Sequence, residues 1–379
     1  MWPYFVPILI CLFSCLFPSR GTVIKAGRTH IIYSWHILLV LLVVFAGMRG
    51  DGSGDYWGYL TYGSEIRQFS DVFSNTIRMD YAYCVIAWII NIFHLPAQVI
   101  IVSMNTISIL CIGVFIKRYS SLPKLSVLLF LPFYFQFDMH AARTACAIGI
   151  LTLSIPYVIE RKPLKFAVVL IISMLFHLEA FIGIFLYFLP MIEINLFSGL
   201  VLLTVDLIIA LPNLTDKLSI FILQHIGIPG LYGRFMRYTE DISSNPFSYA
   251  AKIYDIRFLL FFGVFVLACI LVKDKKGTEM RVFKNASFLT IFLMIFFVNH
   301  AAMVFRLSSF YSIFCLALIP DMLLRNKTIL REYCIESIHH ENISKQEYLL
   351  TASLCAILAC MYALRLGVPY KIFELMYWQ

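Results

Sequence analysis

Charge is what this sequence has least of. Only 14% of its 379 residues are Asp, Glu, Lys or Arg, 61% are hydrophobic, and the mean hydropathy is +0.84. That excludes a soluble globular protein, because one core cannot bury so much apolar surface. A fixed-period repeat, a low-complexity tract and a soluble domain are also missing. There is no CxxC pair and no Cys/His metal spacing, which removes zinc and dithiol motifs. Nine of the ten cysteines lie inside apolar runs and are read as small packing residues. No Asp-x-Asp cluster offers itself to a divalent cation. The glycines at 50, 52 and 54 are not followed by Gly-Lys-Ser/Thr, so they make neither a P-loop nor a dinucleotide fingerprint. No metal and no cofactor are therefore expected. The first apolar run, "YFVPILICLFSCLF", has no basic residues before it and no small-residue cleavage site after it. It is expected to be a first span rather than a cleaved signal.

What is present is a succession of apolar runs of span length, from one end to the other. They predict an all-α, polytopic membrane protein forming a single integral domain over residues 1–379. The 34 Phe and 21 Tyr suit lipid contact and interfacial belts. The net charge of +8 calls for no nucleic acid, since cytoplasmic loops collect Lys and Arg anyway. The same rule orients the loops. Arg20, Lys25 and Arg28 mark an inside loop, as do Lys117, Arg118 and Lys124, then Arg161, Lys162 and Lys165, then the basic run from Lys273 to Lys284. Residues 49–80 carry five acids against three bases and are assigned to the outer face. "YAYCVIAWIINIF" reaches only ~20 Å as a helix against a ~30 Å hydrocarbon core, so it is read as interfacial or half-inserted. Between 165 and 212 three short crossings are preferred, with bends near His177 and Glu193. The total is about twelve crossings, with 212–255 as a large outer-face loop.

This topology puts Arg49, Arg143 and Arg306 at the outer ends of spans, with His177 at the same level, against the usual placement of cations. Such groups are costly beside apolar segments unless they have partners or work to do. In "FDMHAARTACAIGI", Asp138, His140 and Arg143 open a helix whose small residues permit close approach; a lone arginine there could equally snorkel to headgroups. "MLFHLEAF" places His177 and Glu179 inside an apolar stretch, where an imidazole could be a buried packing group or accept a proton. His300 and Arg306 flank a further outer turn. In 212–255, Tyr232, Arg234, Arg237 and Tyr238 suit sugar stacking with phosphate pairing, and equally an amphipathic helix on anionic lipid.

Three segments in order resemble the EpsG family: "RGDGSGDYWGY", "HAARTACAIGILTLSIPYVIERKPLKFAVVLIISMLFHLEAF" and "FRLSSFYSIFCLALIP". They carry an Arg…Gly-x-Asp-Tyr motif, an Arg opening an Ala-rich helix with a later Phe-His, and a late Arg…Tyr segment. Thr144 stands where the family often has Gln, and Glu179 where Ser is common. The resemblance implies a Wzy-type polymerase, a membrane glycosyltransferase of GT-C-like fold that joins undecaprenyl-diphosphate-linked oligosaccharides into O-antigen, capsule or exopolysaccharide. It would act at the outer face of the bacterial inner membrane, with membrane lipid and a polysaccharide co-polymerase as partners. Under it, Arg49, Arg143 and Arg306, with Tyr56, His140, Tyr232, Arg234, Tyr238 and His300, are expected to hold the diphosphate and glycan. His177, Asp55 and Glu179 are the candidate bases, His177 favoured. A flippase for the same lipid would want repeated halves, which are not seen; an O-antigen ligase differs only in its acceptor.

Overall fold

The structure is a computed structural model. It describes residues 2–16, 27–52, 55–74, 79–226, 232–233, 235–236, 249–272, 275–333 and 345–366. From the N-terminus run α1 (Phe5–Leu16), α2 (Gly27–Gly47), α3 (Tyr56–Glu65), a 3-10 turn (Phe69–Phe73), α4 (Tyr81–Ile92), α5 (Gln98–Tyr119) and α6 (Pro123–Phe133). α6 continues into a π-helical turn (Tyr134–Asp138). Then come α7 (Ala142–Thr152), α8 (Ile155–Ile159), α9 (Pro163–Phe176), a 3-10 helix (Leu178–Tyr187), α10 (Leu196–Ala210) and α11 (Leu214–Ile226). The last elements are α12 (Ile256–Leu271), α13 (Glu279–Phe296), α14 (Ala301–Leu307), α15 (Ser309–Ser312), α16 (Cys315–Tyr333) and α17 (Lys345–Leu366). The described residues are all-α, as expected.

Local chemistry sets many of these ends. Pro123 and Pro163 open α6 and α9, where a missing N–H costs nothing. Asn195 caps α10 by accepting from the Ser198 N–H at 2.8 Å. Lys117 and Arg118 sit in the last turn of α5, where cations offset the helix dipole. The π turn follows Pro132, whose ring removes one donor from the α6 ladder, and its wider loop closes with Met139 N–H on the Tyr134 carbonyl at 3.1 Å.

The chain forms two compact units. One comprises 1–153, 171–177 and 337–379; the other comprises 154–170 and 178–336. In the first, α5 packs against α7 on one side and α2 on another, while α1 lies against α6 and α17. The α5–α7 approach needs Gly149, where a Cβ would lie 3.1 Å from the Ser108 carbonyl oxygen and 3.3 Å from Cys111 Cβ. The Tyr134 hydroxyl ties the π turn to α2 by donating to the Leu42 carbonyl at 2.8 Å. In the second unit α13 packs against α10, α12 and α15. Its Asn285 donates from Nδ2 to the Leu189 and Ile192 carbonyls, both at 2.8 Å, and so holds the turn between the 3-10 helix and α10.

Among the described residues, two helices are long and apolar enough to cross a membrane, Gln98–Tyr119 and Gln346–Leu364. Two bent pairs reach the same measure together: Leu196–Ala210 with Leu214–His225, bent by 90°, and Ala301–Ser312 with Cys315–Leu324, bent by 55°. Seven shorter apolar helices of 10–17 residues accompany them, Tyr81–Ile92 included. The chain breaks after α9 at His177 and again between the 3-10 helix and α10, the two places where the sequence called for bends. The expected loop 212–255 contains an apolar helix, α11, which turns away from α10 at Asn213, a residue with φ +59°.

Candidate functional site

Arg49 stands two residues after the end of α2 and is 2% exposed. Its Nη1 donates to the main-chain carbonyl of Asp138, presented by the π turn. Its Nε and Nη2 are also buried, and neither has a hydrogen-bond partner among the described residues. Those two N–H groups form one edge of the planar guanidinium, the edge that grips a carboxylate or phosphate with two parallel bonds. A buried cation left half-satisfied is costly, so an anion at this edge would relieve the cost.

Arg143 stands in the first turn of α7, half-buried. Its Nη1 pairs with Asp80 Oδ2 at 2.6 Å, and its Nε is buried without a hydrogen-bond partner among the described residues. Asp80 occupies the N-cap position of α4, yet its side chain makes no cap bond. The carboxylate serves Arg143 instead. Tyr59, fully buried on α3, joins this group to the glycine-rich stretch. Its hydroxyl donates to Asp55 Oδ2 at 3.3 Å and accepts from the Arg143 main-chain N–H at 3.5 Å, one of the donors a helix start leaves open. The Arg143 guanidinium carbon lies 5.8 Å from the centre of the Tyr59 ring. Tyr83 anchors Tyr59 from behind, donating to its carbonyl.

Of the residues singled out from sequence, the first unit thus gathers Arg49, Arg143, Asp55 and Tyr56. His140 follows the π turn, its Nε2 buried without a hydrogen-bond partner among the described residues. His177 belongs to the same unit, buried just after the last residue of α9, with its N–H on the Ser173 carbonyl at 3.1 Å.

The second unit holds Glu179, Tyr232, His300 and Arg306. Glu179, buried in the first turn of the 3-10 helix, lines a cavity of about 320 Å³ with Leu218, Ser219, Phe235, Phe292 and Met303. His300 Nε2 lies 3.0 Å from Asp216 Oδ1, and the Phe235 ring meets the imidazole edge-on at 6.0 Å. Arg306 is half-buried in the last turn of α14. Tyr232 accepts from Gln224 Nε2 at 3.4 Å. Arg234, Arg237 and Tyr238 lie outside the described residues. Among those described, no cluster of three or more His, Cys, Asp or Glu could hold a metal ion.

Sequence reasoning missed Asp80, Tyr59, Gln98 and Asp216. Asp80 is 63 residues from Arg143, and nothing local marks the pairing. One signal was present: Asp80 is an acid directly before a short apolar helix, close to the outer end assigned to Arg143.

Apolar helices, some long enough to span a bilayer, place the chain among multi-helix membrane proteins, and one of its units holds the buried Arg49 and the half-buried Arg143. The profile of the EpsG family matches residues 32–335, about four-fifths of the chain, and the chain belongs to that family. The family points to a polysaccharide polymerase-type membrane protein. No curated protein matches the chain, and neither does any solved structure.

Proposed function

We propose that the protein is a membrane glycosyltransferase that joins undecaprenyl-diphosphate-linked oligosaccharide repeat units into a polysaccharide at the outer face of the bacterial inner membrane. The observation that carries this reading is the open Nε–Nη2 edge of buried Arg49, with Arg143 in the same unit. Transfer of a glycan breaks a sugar–diphosphate bond, so negative charge grows on the leaving diphosphate. Preorganised guanidiniums stabilise that charge more than they stabilise the substrate, which is what lowers the barrier. Arg306 serves the same lipid-linked substrates on this reading, with Tyr56, His140, Tyr232, Arg234, Tyr238 and His300 as glycan contacts. His177 takes the acceptor hydroxyl's proton, with Asp55 and Glu179 as the other carriers of that role. The short apolar helices other than Tyr81–Ile92, which lies at the interface or is half-inserted, cross as well, giving about twelve crossings in a GT-C-like arrangement. The segment 212–255 faces the periplasm, and a co-polymerase sets chain length.

The lipid-linked glycan of cells lacking the gene tests this reading. A single repeat unit on the carrier, in place of a ladder, is expected. An unchanged ladder, or undecorated carrier with no repeat unit, would refute it.

A further inference from the structure

We propose that Gln98 is a positioning residue that aims Arg49, by fastening both ends of the glycine-rich stretch to the start of α5. Gln98 is 4% exposed. Its Nε2 donates to the Gly47 carbonyl at 2.6 Å and to the Arg49 carbonyl at 2.8 Å, while its Oε1 accepts from the Tyr56 hydroxyl at 3.2 Å. Gly47 is the last residue of α2 and Tyr56 the first of α3, so one amide holds the stretch where it leaves one helix and where it enters the next. The third bond falls on Arg49's own backbone.

The chemistry demands an amide. Two carbonyl oxygens face one end of the side chain and a hydroxyl faces the other, so two donors and one acceptor are needed on a single planar group. A glutamate would turn an acceptor toward two carbonyls. A leucine would leave both carbonyls and the hydroxyl buried and unsatisfied. Asparagine is one methylene too short to span the same three partners.

The geometric consequence lies at the guanidinium. Arg49 is held at two points, its main-chain carbonyl by Gln98 and its Nη1 by the Asp138 carbonyl, so the Nε–Nη2 edge is fixed before any ligand arrives. Preorganisation of this kind raises affinity by removing the ordering cost from binding, and it is sensitive to shifts of about 1 Å. Gln98 touches no ligand; it acts through Arg49. This inference rests on the anion-site reading given above.

The test uses the purified full-length chain in detergent micelles, with inorganic diphosphate as the probe and thermal unfolding followed by tryptophan fluorescence. Wild type, Gln98→Leu, Gln98→Glu and Arg49→Ala are titrated, together with each Gln98 substitution combined with Arg49→Ala. Sodium chloride at matched ionic strength is the control. Diphosphate is expected to stabilise wild type, and both Gln98 variants to bind it about tenfold more weakly, the equivalent of about 1.4 kcal/mol. In the Arg49→Ala background the Gln98 substitutions are expected to change nothing further, since the group they aim is gone. A merely structural role predicts the same loss in both backgrounds, and that result overturns the proposal. So does a folded Gln98→Leu or Gln98→Glu chain that binds diphosphate as wild type does. A wild type that ignores diphosphate overturns the anion site itself, and the aiming role with it. If Gln98→Leu does not fold, Gln98→Glu, nearly the same size and shape, carries the comparison.

Discussion

At the scale of the residue, the site is a set of charges whose partners come from far along the chain. Asp80 is the clearest case. Its side chain is 5% exposed and that of Arg143 18%, so the pair is largely removed from water. Removing one member takes the ion-pair partner from a charge largely out of water, a loss of up to about 3–5 kcal/mol in such settings. Asp80→Ala is therefore expected to lower the unfolding midpoint sharply, and Asp80→Ala with Arg143→Ala to recover part of that loss. Equal melting temperatures for Asp80→Ala and wild type would show the pair to be idle. The arginines drew notice in the sequence because the loop charges assign them to outer ends of spans, where cations break a known rule. Asp80 and Gln98 did not, because an acid in an acidic loop and an amide at a helix start break none. What ties them to the arginines is a contact across 63 and 49 residues, and only folding supplies it.

At the scale of the element, the sequence announced helices and breaks better than it announced what the breaks do. The proline in α6 was visible, but not that the π turn after it would present the Asp138 carbonyl to Arg49. Two other turns lend themselves to measurement. His94 ends α4 with φ +52°, its turn closed by the Leu95 N–H on the Ile90 carbonyl at 3.1 Å. A side chain in this left-handed conformation is strained by about 1 kcal/mol, and glycine is not. His94→Gly is expected to raise thermal stability by that order; a lower melting point would mean that the imidazole has partners that matter more. The second turn is Phe69–Phe73. Asp71 accepts from the main-chain N–H groups of Gln68 at 2.8 Å and Arg67 at 2.9 Å, and these hold its carboxyl below the ordinary 3.8. With the folded value depressed, its contribution is complete above the ordinary aspartate range and lost only as pH falls through the depressed value. Phe69 packs on Trp88 with ring centres 5.0 Å apart, so the fluorescence of Trp88, with the other four tryptophans replaced by phenylalanine, reports on this turn. The signal should stay flat through neutral pH and change only in acid, and in Asp71→Ala it should match the acid form throughout. A transition centred near neutrality would assign the control to another group.

At the scale of the whole molecule, the family and the all-α class were readable because both rest on pattern: long apolar runs, and three motifs in a fixed order. The structure adds two compact units, a division that hydropathy does not express because it carries no information on which segments pack together. Sidedness can be measured directly. Single cysteines placed in a cysteine-free chain at 49–80 and 138–143 should react with an impermeant thiol reagent from the periplasmic side, and those at 117–124 and 161–165 only after the inner membrane is breached. The reverse pattern would turn the chain over and move the arginine site to the cytoplasm. The central claim, that Arg49 and Arg143 grip the diphosphate of a lipid-linked glycan, is tested most directly by the polymer itself. A deletion strain is complemented with wild type, Arg49→Ala, Arg49→Lys, Arg143→Ala or Arg143→Lys, and the lipid-linked glycans are separated by size at matched membrane levels of protein. Both Ala variants are expected to stop at a single repeat unit. The Lys variants should restore little, because an ammonium is a point charge and cannot make the paired bonds of a guanidinium. A full-length ladder from either Ala variant would contradict the account.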